Sequence, residues 1–240
     1  MEREKKPAGI APGRYKGVAF DLDHTLYDRK ATYGNMLDAF CKEFGEFITP
    51  VLAGDDKALL DALISADHLG SYRGGRRGVL EAMNETGVFV KDPGLERLSR
   101  FTTAHIPPAM VIYPDVAETI EWLRRSGYKT GIITNGALDF QNSKIKAIHA
   151  DEIFDHILVS IESGEKKPAP GPFHAMARMM GIEPGEMLYV GDNPRNDVEG
   201  ARNAGCTPIW IRTVNIWMDE YAPPEYAIDA IGDLRILLQA

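Results

Sequence analysis

The stretch FDLDHTL, residues 20–26, decides how this chain is organised, because two carboxylates follow directly on a segment suited to burial. The apolar run VAF ends at Phe20, and Asp21 and Asp23 come immediately after it. A buried carboxylate is costly unless it is paired, and two neighbouring carboxylates repel each other. We therefore expect a cation between these two side chains.

The composition of the chain is typical of a globular protein with one or two domains. Its 240 residues are 44% hydrophobic and carry a net charge of −8, which argues against nucleic acid as a partner because nucleic-acid-binding surfaces are usually basic. The two cysteines are too few for a disulfide framework or a zinc cage, and no apolar run has membrane-spanning length. We predict a cytoplasmic protein, without a membrane partner, that is a monomer or a homodimer.

Five short apolar segments, each ending in a polar residue, alternate with helical patterns. The predicted strands span residues 17–21, 129–134, 157–160, 187–192 and 208–212. Such alternation is typical of an α/β fold, a parallel sheet with helices on both faces. Parallel strands bring their carboxyl ends to one edge, where these sheets bind ligands. The residues expected at that edge are Asp21, Thr134, Ser160 and Asp192.

The stretch from residue 29 to residue 105 has helical periodicity and almost no strand signal. We predict a helical insert there, between the first strand and the remainder of the chain. Residues 15–28 and 106–240 are assigned to the α/β core. Residues 1–14 are charged and then rich in Pro and Gly, so we expect a flexible arm rather than a secretory signal.

The first pair of carboxylates has two interpretations. In one, Asp21 and Asp23 only stabilise a turn after the strand, since Asp often bonds to nearby backbone. In the other, Asp21 is a nucleophile that forms an acyl-phosphate, and Asp23 is the acid that protonates the departing alkoxide. Water would then attack the acyl-phosphate, with Asp23 acting as the base.

The stretch VGDNPRND, residues 190–197, places Asp192 and Asp197 after another predicted strand. Carboxylates clustered without His or Cys favour a hard cation, and Mg²⁺ fits best beside a phosphate. Asp192 is the predicted metal ligand, whereas Asp197 is expected to orient a ligand or a water from behind. Alternatively, Asp192 or Asn193 only caps the helix that begins at Pro194.

The stretch GIITNGAL, residues 131–138, is a candidate cradle for phosphate. The Thr134 hydroxyl and the backbone N–H groups from Asn135 onward suit an anion, although Thr-Asn-Gly is also an ordinary turn. A cation is available in SGEKKPAPGPF, residues 163–173, where it could offset charge on phosphoryl oxygens and on Asp21. Lys166 and Lys167 both qualify by position, and a solvated loop lysine is the alternative.

In this order, the four motifs resemble those of the haloacid dehalogenase-like hydrolase superfamily, and in particular its phosphatases. The resemblance covers about residues 15–240, and four ordered motifs are far more specific than any one of them. It implies a Rossmann-like core with a small α-helical cap, inserted after the first motif, over residues 29–105. No comparable insert lies between Gly136 and Lys167.

The resemblance also implies roles for individual residues. Asp21 would be the nucleophile and Asp23 the acid and base, while Thr134, Asn135 and Lys167 would bind the phosphoryl group. Lys167 is preferred over its neighbour because the lysine of the family stands directly before a proline. Mg²⁺ would be held by Asp21, the backbone carbonyl of Asp23, and Asp192.

The second carboxylate of the first motif bears on the reaction. Dehalogenases of the family lack it, because a halide leaving group needs no proton, so Asp23 favours phosphate esters. We predict a Mg²⁺-dependent phosphatase for a small phosphorylated metabolite, such as a sugar phosphate, phosphoglycolate or a nucleotide. The alternatives are a phosphomutase, a dehalogenase, or a scaffold without catalytic activity.

Substrate choice is expected to lie in the predicted cap. The stretch GSYRGGRRG, residues 70–78, places Arg73, Arg76 and Arg77 among glycines that allow close approach of a ligand. One of these arginines is a candidate to bind a distal carboxylate or phosphate of the substrate. The alternative is a basic, solvated loop.

Overall fold

The structure is a computed structural model that describes residues 10, 13–67, 76–213 and 215–239. The described chain divides into two compact units. One unit comprises the residues up to Tyr27 together with those from Ile112 onward, and the other comprises Asp28–Val111.

The first unit is built on a parallel sheet, which confirms the predicted α/β fold with a Rossmann-like core. The strands in the described part of the chain are β1 (Gly17–Phe20), β2 (Lys129–Thr134), β3 (His156–Val159), β4 (Met187–Gly191), β5 (Thr207–Ile211) and β6 (Tyr226–Ile228). Their order across the sheet is β3-β2-β1-β4-β5-β6, and every neighbouring pair is parallel. The chain therefore adds β2 and β3 on one side of β1 and β4, β5 and β6 on the other, and such sheets form a ligand crevice where the direction reverses.

The strand register aligns the carboxyl ends of β1, β2 and β4, which carry the sequence motifs. Phe20 at the end of β1 pairs with Ile132 on one side and Val190 on the other. Asp21 thus leaves the sheet between the carboxyl ends of β2 and β4. The apolar runs place these strands in the interior, because Val18, Ala19 and Phe20 have no exposed surface.

The second unit consists mainly of helices in its described residues, as the apolar periodicity of this stretch indicates. They are α1 (Arg29–Phe44), α2 (Asp56–Ala66), α3 (Arg76–Glu85) and α4 (Leu95–Ala109). The Asp28 carboxylate caps α1 by accepting a hydrogen bond from the Ala31 amide at 2.9 Å. A cluster of phenylalanine rings joins α1 to α4, with Phe44 and Phe101 centroids 5.2 Å apart.

Helices of the first unit cover the sheet. They are α5 (Val116–Arg125), α6 (Leu138–Ala147), α7 (Ala150–Ile153), α8 (Gly171–Met180), α9 (Gly200–Asn203) and α10 (Leu234–Gln239). The apolar face of α8 packs on the sheet, where Phe173 and Met176 are fully buried against Ile133 and Tyr189. Among the described helices of either unit, none combines the length and the apolar character that crossing a bilayer requires.

Candidate active site

A buried ion pair lies at the carboxyl ends of β1 and β4. The Lys167 ammonium donates to Asp21 Oδ1 and to Asp197 Oδ1, both at 2.7 Å, and to the Tyr189 hydroxyl, also at 2.7 Å. Lys167 is only 4% exposed, whereas the neighbouring Lys166 is exposed. Position in the sequence did not decide which of the two lysines pairs with Asp21. In the structure, Lys167 is the one that contacts the carboxylates.

The side chain of Asp197 organises this centre from the turn that follows β4. Residues Pro194–Glu199 form a π-helical turn, and Asp197 is buried within it. One carboxylate oxygen accepts from Lys167, and the other accepts from the Asn193 amide at 2.9 Å. Asp197 therefore positions the lysine and the start of the turn together.

Asp192 faces the same centre, and the neighbouring Asn193 caps the turn. The Asn193 side chain accepts from the amides of Arg195 and Asn196, at 3.1 and 2.9 Å. The carboxylate of Asp192 is thus available to the site, where it accepts a hydrogen bond from the Asn215 amide. Trp210 of β5 donates its indole N–H to the Asp192 carbonyl at 2.9 Å, which holds the backbone in place.

Burial sets the protonation behaviour of this centre. It raises the pKa of Asp21 to about 7, an effect that the Lys167 charge opposes and the Asp197 and Asp23 charges increase. Burial and the charges of Asp197 and Asp21 raise the pKa of Asp192 well above its ordinary value. Burial lowers the pKa of Lys167, but the charges of Asp197 and Asp21 outweigh it, so the net direction is upward.

The carboxylates of this centre fit a hard divalent cation. One oxygen each from Asp21, Asp192 and Asp197 lie within 4.8 Å of one another, and all three residues are buried. Lys167 supplies one positive charge against three carboxylates, so the cluster has an excess of negative charge. Repulsion among these carboxylates adds to the effect of burial in raising the pKa of Asp21 and of Asp192. An oxygen-only donor set with this charge suits Mg²⁺.

The predicted phosphate cradle lies where β2 ends. Thr134 is fully buried, and its hydroxyl accepts a hydrogen bond from Gln141 of α6. The Asn135 side chain is hydrogen-bonded on both sides: its amide donates to the Lys167 carbonyl, and its oxygen accepts from the Lys167 amide, both at 3.0 Å. Asn135 therefore fixes the lysine loop through its side chain.

Asp23 is anchored by residues that the sequence analysis did not single out. Lys144 Nζ lies 2.6 and 2.7 Å from its two carboxylate oxygens, Gln141 donates at 3.1 Å, and the Tyr27 hydroxyl also donates. The available signal was a pair of polar residues, three apart, on the helix that follows the TNG turn. Periodicity alone does not tell that this polar face turns inward.

Gly191 is needed for Asp197 to reach the lysine. A Cβ atom at Gly191 would lie 2.4 Å from Asp197 Cγ, far inside van der Waals contact. We expect Gly191→Ala to displace Asp197, to lower the free energy of unfolding by about 1–3 kcal/mol, and to reduce the affinity for Mg²⁺. Urea unfolding monitored by circular dichroism measures the first effect, and titration calorimetry measures the second.

Gly185→Ala is the matched control for Gly191→Ala, because the nearest atom to a Cβ there is 3.9 Å away. It is expected to unfold at the urea concentration of the unmodified protein. Equal unfolding midpoints for the two variants would show that the Gly191–Asp197 contact is unimportant.

The predicted substrate-binding arginines lie in the helical unit. Arg76 and Arg77 open α3, the first partly buried and the second exposed. Arg73 lies outside the described residues. A role in binding substrate stays a prediction for all three.

Comparison with known proteins identifies the class to which this fold and site belong. Residues 15–205 match the family model of the haloacid dehalogenase-like hydrolases. Because the match spans most of the chain, the chain belongs to this family.

Individual relatives share different portions of the chain. A glyceraldehyde 3-phosphate phosphatase from Pyrococcus furiosus is 33% identical over 126 residues, which are 52% of each chain, so the match spans about half of that relative. A phosphoglycolate phosphatase from Pasteurella multocida is 26% identical over 94% of this chain and 99% of its own. The crystal structure of a phosphatase of the family from Thermococcus onnurineus covers 93% of this chain and 97% of its own, with 26% identity and a TM-score of 0.60.

Proposed function

We propose that this protein is a Mg²⁺-dependent phosphatase that hydrolyses the phosphomonoester of a small metabolite. The main support for this proposal is that Lys167 Nζ lies 2.7 Å from Asp21, at a sheet edge that also holds Thr134 and Asp192. A carboxylate nucleophile, a cation and a hydroxyl at one sheet edge suit the transfer of a phosphoryl group. Family membership and the phosphatase relatives support the same activity.

In the first step, a carboxylate oxygen of Asp21 attacks phosphorus, and the bond from phosphorus to the ester oxygen breaks. The product on the enzyme is an aspartyl-phosphate. Asp23 gives its proton to the departing ester oxygen, so that an alcohol leaves rather than an alkoxide. Lys167 and Thr134 bind the phosphoryl oxygens and stabilise the charge that gathers there.

In the second step, water attacks the phosphorus of the aspartyl-phosphate, and Asp23 accepts the proton of the water. Inorganic phosphate leaves, and the Asp21 carboxylate is restored. The metal would be held by Asp21, Asp192 and the backbone carbonyl of Asp23. When bound, Mg²⁺ supplies positive charge that favours ionised Asp21 and shields the phosphoryl oxygens. Asp197 keeps Lys167 in place during both steps.

The activity is tested by measuring phosphate release from a panel of phosphorylated metabolites. The panel includes phosphoglycolate, glyceraldehyde 3-phosphate, sugar phosphates and nucleoside monophosphates, each assayed with Mg²⁺ and then with a chelator. We expect release from one or a few compounds, lost with the chelator and restored by added Mg²⁺. The proposal would be overturned if a protein shown to be folded and to bind Mg²⁺ released phosphate from none of these compounds. Halide release from a 2-haloacid, or isomerisation of a sugar phosphate, would indicate a dehalogenase or a mutase instead.

We also propose that the helical unit acts as a cap and that its arginines bind a distal anionic group of the substrate. Replacing Arg73, Arg76 or Arg77 with Ala is then expected to raise KM about tenfold or more at one position, with kcat little changed. Steady-state kinetics on the best substrate of the panel measures this effect. Unchanged KM values in all three variants would exclude the assignment.

A further inference from the structure

The geometry around Asp23 points to a function for one face of α6. Lys144 contacts both oxygens of the carboxylate, at 2.6 and 2.7 Å, and Gln141 and Tyr27 donate to it as well. Three donors thus hold a side chain that is itself 22% exposed. Asp23 is therefore open to a ligand on one side and restrained on the other.

Lys144 is buried to an extent that is unusual for a lysine. Its side chain is only 3% exposed, and its ammonium lies 5.2 Å from the ring centroid of Phe140 and 5.7 Å from that of Tyr27. Taking an ammonium out of water is unfavourable, and a well-formed pair with a carboxylate offsets this cost. The proposed roles of Lys167 and the metal leave Lys144 without a part in phosphate binding.

Gln141 connects Asp23 to the phosphate cradle. Its amide nitrogen donates both to Asp23 Oδ2, at 3.1 Å, and to the Thr134 hydroxyl. Gly136 makes room for this side chain, because a Cβ atom at that position would lie 2.7 Å from Gln141 Cγ. The candidate proton donor and the candidate phosphoryl-binding hydroxyl are therefore held by one amide group.

We propose that Lys144 and Gln141 are positioning residues that aim Asp23 at the oxygen of the leaving group. This inference rests on the proposed phosphatase activity. A flexible Asp23 would reach that oxygen in only a fraction of the bound complexes, whereas an anchored one is already in place. The same donors favour the ionised form of Asp23, which is the product of proton transfer in the first step and the base of the second step.

The loss of kcat on replacing Lys144 is expected to depend on the leaving group of the substrate. An alkyl phosphate needs a proton on its leaving oxygen, whereas 4-nitrophenyl phosphate has a leaving group stable without one. We expect Lys144→Met to lower kcat about 100-fold on an alkyl phosphate and less than about fivefold on 4-nitrophenyl phosphate. KM is expected to change little on either, and Lys144→Arg should recover part of the loss.

Lys146→Met is the matched control, because Lys146 lies on the same helix and is exposed. It should behave as the unmodified protein on both substrates. Where Lys144→Met does not fold, Lys144→Gln is subject to the same comparison. A loss of equal size on both substrates would overturn the positioning role and leave a structural ion pair.

A double variant tests whether Lys144 acts through Asp23 or independently of it. If Lys144 acts through Asp23, adding Lys144→Met to Asp23→Asn causes no further loss on the alkyl phosphate. Multiplicative losses would contradict the inference. An unmodified protein that releases phosphate from neither substrate would refute the proposed function itself, a result distinct from an active protein with uniform losses.

Discussion

Asp21→Asn is expected to reduce phosphate release by at least about 10³-fold, because the amide has no carboxylate oxygen to form the acyl-phosphate. The substitution keeps the shape of the side chain and its position at the end of β1. Initial rates on the best substrate of the panel, with saturating Mg²⁺, measure the loss. If the variant kept more than about a tenth of the activity of the unmodified protein, Asp21 would not be the nucleophile.

The same variant is expected to be more stable than the unmodified protein when metal is absent. The folded pKa of Asp21, about 7, lies above its ordinary value, so the ionised side chain destabilises the folded state. This cost is present at pH 8, where Asp21 is charged, and disappears as the pH falls below the ordinary pKa of Asp. Melting temperatures measured with a chelator at pH 8 and at pH 4 check the sign.

Asp151→Asn provides the control for Asp21→Asn, because Asp151 is an exposed carboxylate of α7 in the same unit. It should change neither the rate nor the melting temperature appreciably. A gain in stability for both variants would point to net charge rather than to the buried centre.

Lys167→Met has the second large expected effect, and it acts on stability as well as on rate. The substitution leaves Asp21 and Asp197 buried without the ammonium that lies 2.7 Å from each. Removing one partner of a buried ion pair costs about 3–5 kcal/mol, so we expect a loss of that order in the free energy of unfolding without metal. Phosphate release is expected to fall about 10²–10³-fold, because one stabilising charge on the phosphoryl oxygens is gone.

Added Mg²⁺ should restore part of the stability of Lys167→Met, since a ligand that binds only the folded state stabilises it. Urea titrations with Mg²⁺ and with a chelator measure this difference. Lys166→Met is the control, because it removes the same charge from an exposed neighbour. Equal unfolding midpoints for the two lysine variants would contradict the buried ion pair.

The sequence predicted the sheet and the positions of its strand ends well. Apolar runs such as VAF before Asp21 report burial locally, and parallel strands must align their carboxyl ends. The strands end within a residue of the predicted positions at Phe20, Val159 and Gly191. For the same reason, Asp21, Thr134 and Asp192 could be expected at one edge before the structure was known.

Finer choices could not be made from local patterns. The residues alone did not decide between Lys166 and Lys167, and only the resemblance to the family preferred Lys167, which turns inward to the carboxylates in the structure. Asp192 and Asn193 were both candidate caps, and the direction of the chain after β4 gives that task to Asn193. Each choice depends on backbone geometry at a single residue, which spacing does not encode.

The partners of Asp23 were decided by tertiary packing and not by local sequence patterns. Strand–helix alternation and the order of the carboxylates are local properties, so the α/β fold and the candidate site edge follow from the residues alone. Lys144 is 121 positions away from Asp23 in the chain, and the polar spacing on α6 does not show that Asp23 is its partner. The contact exists because the fold brings α6 next to the loop that follows β1. Burial of Lys144 then favours an ion pair with Asp23.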